Sequence, residues 1–389
     1  MTSRAMEHVR RLAETIGPRG STTPGEARAA DYVSAELEGF GLTPERQPFR
    51  SARSAWWPLA FFWGLILVSC IAFLWGGRVG AIGALGCGLV AFVSVLLELL
   101  FFPNPLRWLL PTGPSQNVFA HIEPRGEARE RVVLVAHLDT HRTPLVFSSD
   151  AWVRLFERLV PVGMACTGLL LVLFALGVAF PWASLRFVAL GPLIVVVGML
   201  ALTVQADCTP YTAGANDNAS GVGVILSLAE RLAAVPRSVT SVHVLFSGCE
   251  EVGCYGAFAF ARKHAKRLGG AAWISVDTMA SEGGVPVYLE QESFLATTRS
   301  DPQLLDLAGR IATRRPELGA RAISMKGAYT EGVVGKRYGM RVLTLGSQRV
   351  DGSLGEWHRP TDVIEHVGTH CLGRSESLLW ELIRAIDAG

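Results

Sequence analysis

The chain has 389 residues, 36 of them basic and 34 acidic, for a formal net charge of +2. That length allows one large α/β domain with accessories, and the near balance of charge excludes the electrostatic footprint of a nucleic-acid-binding protein. The mean hydropathy of +0.32 is high for a wholly soluble chain, and the apolar residues concentrate in two blocks, Trp56 to Phe102 and Leu159 to Val204.

In chain order, residues 4 to 16 predict a first helix, charged and amphipathic rather than a cleavable signal. A loop rich in Gly, Pro, Ser and Thr follows, then a helix over 26–38 that stops at Gly39–Gly41, then a strand around Leu42 to Phe49. Ser54–Gly77, Val79–Leu97, Leu159–Leu185 and Phe187–Ala206 contain no Asp, Glu, Lys or Arg. Each is near or above the roughly 18 to 20 residues that cross a bilayer core, so 56–102 and 159–206 are predicted to be transmembrane hairpins. Buried core helices would be shorter and carry a polar face. Trp56, Trp57, Trp75, Trp108, Trp152 and Trp182 stand near the span ends like an interfacial belt. Glu98 is the one acid within the blocks, expected at the interface or facing the bundle.

Two hairpins return the chain to one side of the membrane each time. That side carries Arg46, Arg50, Arg53, Arg107, Arg154 and Arg158, and the opposite turns only Arg78 and Arg186. The positive-inside rule then makes the hydrophilic part cytoplasmic. Seven cysteines, with Cys70, Cys87 and Cys166 inside the spans, argue against a disulfide framework. Cys249 and Cys254 are expected to be small buried groups.

The hydrophilic residues, 1–55, 103–158 and 207–389, read as one domain interrupted twice. Strands are predicted at Asn117–Ile122, Val132–Ala136, Val242–Phe246 and Ala271–Val276, alternating with helices after Gly221 and around Tyr255–Arg267. The fold class is therefore α/β, a mostly parallel mixed sheet with helices on both faces, interrupted by the two helical hairpins. The unbroken apolar run of Val132–Ala136 suits a strand covered on both sides.

The run GANDNASGVG at Gly214–Gly223 places Asp217 among small residues just ahead of an amphipathic helix. Small neighbours allow close backbone approach, and the helix dipole favours an ionised carboxylate. An Asp there is commonly only an N-cap. Four further groups raise the alternative of a cation site. VVLVAHLDTH puts His137 and Asp139 after a strand, VHVLFSGCEEVG puts Glu250 and Glu251 after another, WISVDTM puts Asp277 after a third, and GEWHRPTD carries His358 in a later loop. Sites in open α/β sheets form beyond the carboxyl ends of strands.

The order H-x-D, N-D-N-A-S-G, E-E-x-G, V-D and H-x-x-T-D resembles the two-zinc aminopeptidase family of bacterial leucyl aminopeptidase and aminopeptidase Y (metallopeptidase family twenty-eight). The opening segment IGPRGSTTPGEARAADYVSAELEGFGL is similar too; the two hydrophobic hairpins have no counterpart in that pattern. The resemblance implies that Asp217 bridges two Zn²⁺, one completed by His137 and Asp277 and the other by Glu251 and His358. It makes Glu250 the general base, while Asp139 holds the His137 ring. Histidine and carboxylate donors suit zinc, and other divalent transition metals can take such a set. The implied reaction is removal of amino-terminal residues from peptides. GAYTEGVVG departs from the family's usual S-D-H at that place, leaving Tyr329 and Glu331 as candidates either to line the substrate site or to sit on a surface loop. Thr361 and Asp362 are expected to cap the His358 loop. Two other readings stay open: a single-zinc acyltransferase like glutaminyl cyclase, and a non-catalytic receptor or scaffold on a peptidase fold. The preferred residue and the oligomeric state are not specified.

Overall fold

The computed structural model describes residues 3–180, 183–353 and 355–389. The chain divides into two compact units, one of Met1–Arg53, Gly113–Arg142 and Tyr211–Gly389, the other of Ser54–Thr112 and Thr143–Pro210. The elements in order are α1 (Arg4–Arg10), α2 (Pro24–Gly39), β1 (Glu45–Ala52), α3 (Trp57–Trp75), α4 (Gly77–Leu99), β2 (Thr112–Ile122), β3 (Glu130–His137), α5 (Asp150–Ala179), α6 (Ser184–Asp207), α7 (Gly221–Ala234), β4 (Thr240–Ser247), α8 (Tyr255–Leu268), β5 (Ala272–Val276), β6 (Gly284–Ser293), β7 (Thr297–Arg299), α9 (Pro302–Arg314), β8 (Arg321–Lys326), α10 (Gly332–Arg337), β9 (Arg341–Arg349) and α11 (Thr369–Asp387).

In the first unit, nine strands form one mixed sheet in the order β1-β2-β4-β3-β5-β9-β6-β7, with β8 pairing to β6. The centre, β4-β3-β5-β9, is parallel, and β2 and β6 flank it antiparallel. Alternation along β3 explains the unbroken apolar run. Val132, Leu134 and Ala136 face one core with α1, α2, α7 and α11. Val133 and Val135 face the other with Ala257, Phe260 and Val334 from α8 and α10. The periodic residues of α7, Val222, Ile225, Leu226, Leu228, Ala229 and Leu232, are all buried. Each large aliphatic side chain removed from water contributes about 1.5–3 kcal/mol, so α7 is fixed against the sheet beside the loop that carries Asp217.

In the second unit, α3, α4, α5 and α6 are each long and apolar enough to cross a membrane. They share a core of Phe62, Trp63, Ile66, Phe73, Leu170, Phe174 and Val196. Gly163 and Gly177 admit the rings of Trp63 and Phe73, which a Cβ would meet at 2.8 and 2.5 Å, the small-residue packing of helices in lipid. Outward residues are also apolar, Val79 being 80% exposed and Phe187 75% exposed. Helix α5 begins at Asp150, ahead of the charge-free stretch, because Ser149 Oγ caps it by accepting the Trp152 N–H at 3.3 Å.

Glu98 turns to the connector that follows α4. It pairs with Arg107, which is only 4% exposed, and accepts from Asn104 Nδ2 at 3.1 Å. The tryptophan belt needs one correction. Trp57, Trp75 and Trp108 are exposed, but Trp56 is buried, stacked in a tilted manner on Phe147 and Phe156, because aromatic partners offer its ring more contact than an interface would. Trp182 lies outside the described residues.

Candidate metal centre

The register of the parallel strands sets the site. His137 at the end of β3 is paired with Ser247 at the end of β4. Val135 is paired with Ser275, so Asp277, two residues beyond, emerges level with His137. Glu250 and Glu251 follow in the turn after β4, and His358 lies in the loop after β9. The carboxyl rim of the sheet therefore gathers all four strand-end motifs.

The Asp217 loop is stitched to the loop after β5. Asn218 donates from Nδ2 to Val276 O at 2.9 Å, and its Oδ1 accepts the N–H of Gly221 at 3.0 Å. Asn216 Oδ1 accepts the Ala280 N–H, and Ser220 Oγ the Met279 N–H, both at 2.8 Å. The alternation N-D-N thus turns two amides to the neighbouring loop and Asp217 to the centre. The Asp217–Asn218 peptide is cis. Gly214 has φ +61°, and a Cβ there would meet Thr140 Cγ2 at 2.3 Å and Asp217 O at 2.4 Å, so only glycine fits.

Two groups of donors result. His137 Nε2 lies 3.3 Å from Asp217 Oδ1 and 3.8 Å from Asp277 Oδ1. His358 Nε2 lies 3.3 Å from both Asp217 Oδ2 and Glu251 Oε2. Asp217 offers one oxygen to each histidine and stands between the groups. Glu251 Oε1 and Asp277 Oδ1 are buried and accept no hydrogen bond. The donor chemistry and these unsatisfied oxygens fit divalent zinc.

Asp139 does more than hold an imidazole. His137 Nδ1 is 3.1 Å from the backbone O of Asp139 and 3.6 Å from its Oδ1. The carboxylate accepts the N–H groups of Glu250 and Glu251 at 3.0 and 3.2 Å and the Ser21 hydroxyl at 2.6 Å. The turn carrying both glutamates is thereby fastened to the His137 strand. Cys249, His358 and Thr278, the residue after Asp277, have left-handed backbone at φ +57°, +56° and +51°, a cost of about 1–3 kcal/mol each that surrounding structure must offset.

Burial raises the Glu250 carboxyl well above its usual range, reinforced by the negative charges of Glu251, Glu331 and Asp277 against the opposing pull of His137. Burial likewise takes Glu251 to about 7. Burial alone would lower His137 and His358, but the surrounding carboxylates overcome it, raising His137 well above 6.5 and His358 to about 9. Burial would raise Asp217, yet bonds from those two histidines hold it below the ordinary carboxylate range. So many mutually opposed carboxylates in one dry pocket are an arrangement that a cation relieves.

Glu331 is no surface-loop residue. It is 1% exposed, its Oε1 accepts from Ser247 Oγ, its Oε2 has no hydrogen-bond partner, and burial takes its carboxyl to about 7. Tyr329 is half-buried and packs edge-on against Phe294 at 5.8 Å. Asp362 does not cap the His358 loop as expected. Its carboxylate accepts the N–H groups of Asn216 and Asp217 at 2.7 and 3.0 Å, because those amides, freed by the irregular turn, lie against it. Thr361 Oγ1 does bond within its own loop, to Glu356. Cys249 and Cys254 are buried free thiols, Cys254 Sγ lying 3.4 Å from Glu250 Oε1.

Three contributors carried no sequence signal. His141 stacks on His358 with centroids 3.7 Å apart and planes 11° apart. Ser21 reaches Asp139. Arg19, fully buried, donates to the carbonyls of Leu12, Gly17, Leu138, Ala213 and Gly214.

Residues 199–383 match the profile of Peptidase family M28. No curated protein matches the chain. Among solved structures, the zinc aminopeptidase BSAP from Bacillus subtilis superposes with a TM-score of 0.57 at 14% identity, over 98% of this chain and 94% of that one. A leucine aminopeptidase precursor from Bacteroides thetaiotaomicron gives 0.56 at 15%, over 98% and 95%. A glutaminyl cyclase from Fimbriiglobus ruber gives 0.57 at 15%, over 98% and 94%. At these identities the likeness is one of fold.

Proposed function

We propose, from the match of residues 199–383 to the profile of Peptidase family M28, that the protein is a membrane-anchored, two-zinc aminopeptidase. The observation that carries this reading is Asp217 standing between the His137–Asp277 group and the Glu251–His358 group. His137, Asp217 and Asp277 would hold one ion, and Asp217, Glu251 and His358 the other. Bound there, the metals supply Lewis acidity, polarising a carbonyl and acidifying a water.

The chain's own residues do the rest. Glu250, not needed as a ligand, takes a proton from the attacking water as its oxygen bonds to the scissile carbonyl carbon. As the C–N bond breaks, Glu250 passes that proton to the leaving amine. Burial of its carboxyl suits a group that must both accept and return a proton. Asp139 positions Glu250 through the backbone, and its carbonyl sets the tautomer of His137. Glu331, with a spare buried oxygen, and Tyr329 line the substrate side. The four apolar helices support anchoring in a lipid bilayer, and the arginine distribution supports a cytoplasmic hydrophilic unit.

The test is hydrolysis of a panel of aminoacyl substrates by the purified chain in detergent, with and without chelator. Glu250→Gln should keep the metal and lose about 10²–10⁴-fold in kcat; full activity in that variant would remove the assignment. A glutaminyl-cyclase-like acyltransferase shares the fold, and there one zinc per chain and cyclisation of amino-terminal glutamine would be measured instead.

A further inference from the structure

We propose that His141 is a fourth protein ligand, beside Asp217, Glu251 and His358, of one of the two metals; this rests on the two-metal reading above. His141 lies four residues beyond His137 in the loop leaving β3 and is buried. Its Nδ1 is 2.6 Å from the backbone O of Arg142. A carbonyl only accepts, so Nδ1 carries the proton and Nε2 keeps its lone pair. His137 is arranged alike, Nδ1 on the Asp139 carbonyl and Nε2 on the central carboxylates. Metal-ligating imidazoles are typically held this way.

One donor atom each from His141, Glu251 and His358 lie within 4.8 Å of one another, all three residues buried. Donors around one tetrahedral zinc sit roughly 3.3–3.5 Å apart, a small adjustment for rotatable side chains. Glu251 Oε2 lies 3.3 Å from His358 Nε2, and the other oxygen of that carboxylate, Oε1, is buried without a hydrogen bond. With Asp217 added, four protein donors fill a tetrahedral shell, as in structural zinc sites. The His137–Asp217–Asp277 group supplies three and keeps a place for water or substrate, as catalytic sites do. The two ions are therefore unequal: one is held tightly by protein, and the other is the exchangeable one.

A simpler role would be mechanical, since the His358 ring stacks on both His141 and Trp357, the latter at 3.9 Å and 28°. The full-length protein in detergent, titrated with zinc against a competing chelating dye, separates the two. His141→Ala and His141→Phe should both weaken the tighter site by at least about 100-fold, because phenyl preserves the stack and removes the nitrogen. Wild-type affinity in His141→Phe, or in both variants, overturns the proposal. X-ray absorption at the zinc edge of the unmodified protein needs no variant: three imidazoles shared by the bound zinc support the ligand role, and two refute it. Fewer than two zinc ions on the wild-type chain would instead sink the two-metal reading, and loss of the remaining ion in both variants would still uphold His141.

Discussion

The carboxylate of Asp139 accepts the backbone N–H of Glu250 at 3.0 Å, joining two strand-end motifs 111 residues apart. The same group takes the Glu251 N–H and the Ser21 hydroxyl, so both carboxylate oxygens are committed. Asp139→Asn would turn an NH₂ toward at least one of these donors. The expected result is a 10–100-fold loss of zinc affinity with a parallel fall in kcat, measured by zinc titration and steady-state kinetics. A variant with unchanged affinity and rate would show that the backbone carbonyl alone positions His137.

Asp362 performs the corresponding task for the Asp217 loop, accepting from Asn216 and Asp217. Asp362→Ala leaves two buried N–H groups unsatisfied, at about 1–3 kcal/mol each. Thermal unfolding should shift down in both zinc-loaded and chelated protein. A loss confined to the zinc-loaded form would mean that Asp362 acts only on the metal.

Chelation should lower stability in a zinc-dependent way, since an ion that binds only the folded state contributes about 2.7 kcal/mol at one hundred times its Kd. Without it, burial and the charge of Asp217 disfavour ionisation of both Glu251 and Asp277. Thermal midpoints that ignore free zinc would contradict a metal in this pocket.

Glu292 carries a pH signature. It is buried, with Oε2 accepting from Thr330 Oγ1 at 2.8 Å and Oε1 unsatisfied, and burial takes its carboxyl to about 8. An unfolded glutamate titrates near about 4.3. Between those values the folded chain holds a proton that the unfolded chain has released, so this group's contribution is full at low pH and is lost as pH rises toward 8. Glu292→Gln should flatten the decline of thermal midpoint between pH 5 and pH 8; an unchanged slope would place the proton elsewhere.

In the helical unit, Glu98 and Arg107 are partners with little access to water. Removing either alone strands a buried charge, expected to cost about 3–5 kcal/mol. The double variant Glu98→Ala/Arg107→Ala should be the less harmful change, read as midpoints in detergent. Additive losses would show the two to be independent.

The strand ends were legible because their signal is local: an apolar run, then His137, Asp139, Glu250 or Asp277, is visible within ten letters. The four apolar spans were legible for the same reason. The supports were not. Asp362 answers to amides some 145 residues away, and nothing in H-R-P-T-D distinguishes that from a local cap. Glu331 sits in a loop-like sequence, and its burial follows only from α10 packing behind it. His141 reads as one more polar letter after a strand until the His358 loop returns to lie on it.

Arg19 ties the first fifty residues to the segments on either side of the second pair of apolar helices, through Leu138, Ala213 and Gly214. During synthesis, that guanidinium has no complete set of acceptors until the ribosome has passed Gly214 and all four helices have left the tunnel. A nascent chain shorter than this cannot close the loop that carries Asp217, so all four apolar helices are synthesised before the His137–Asp217 cluster can form.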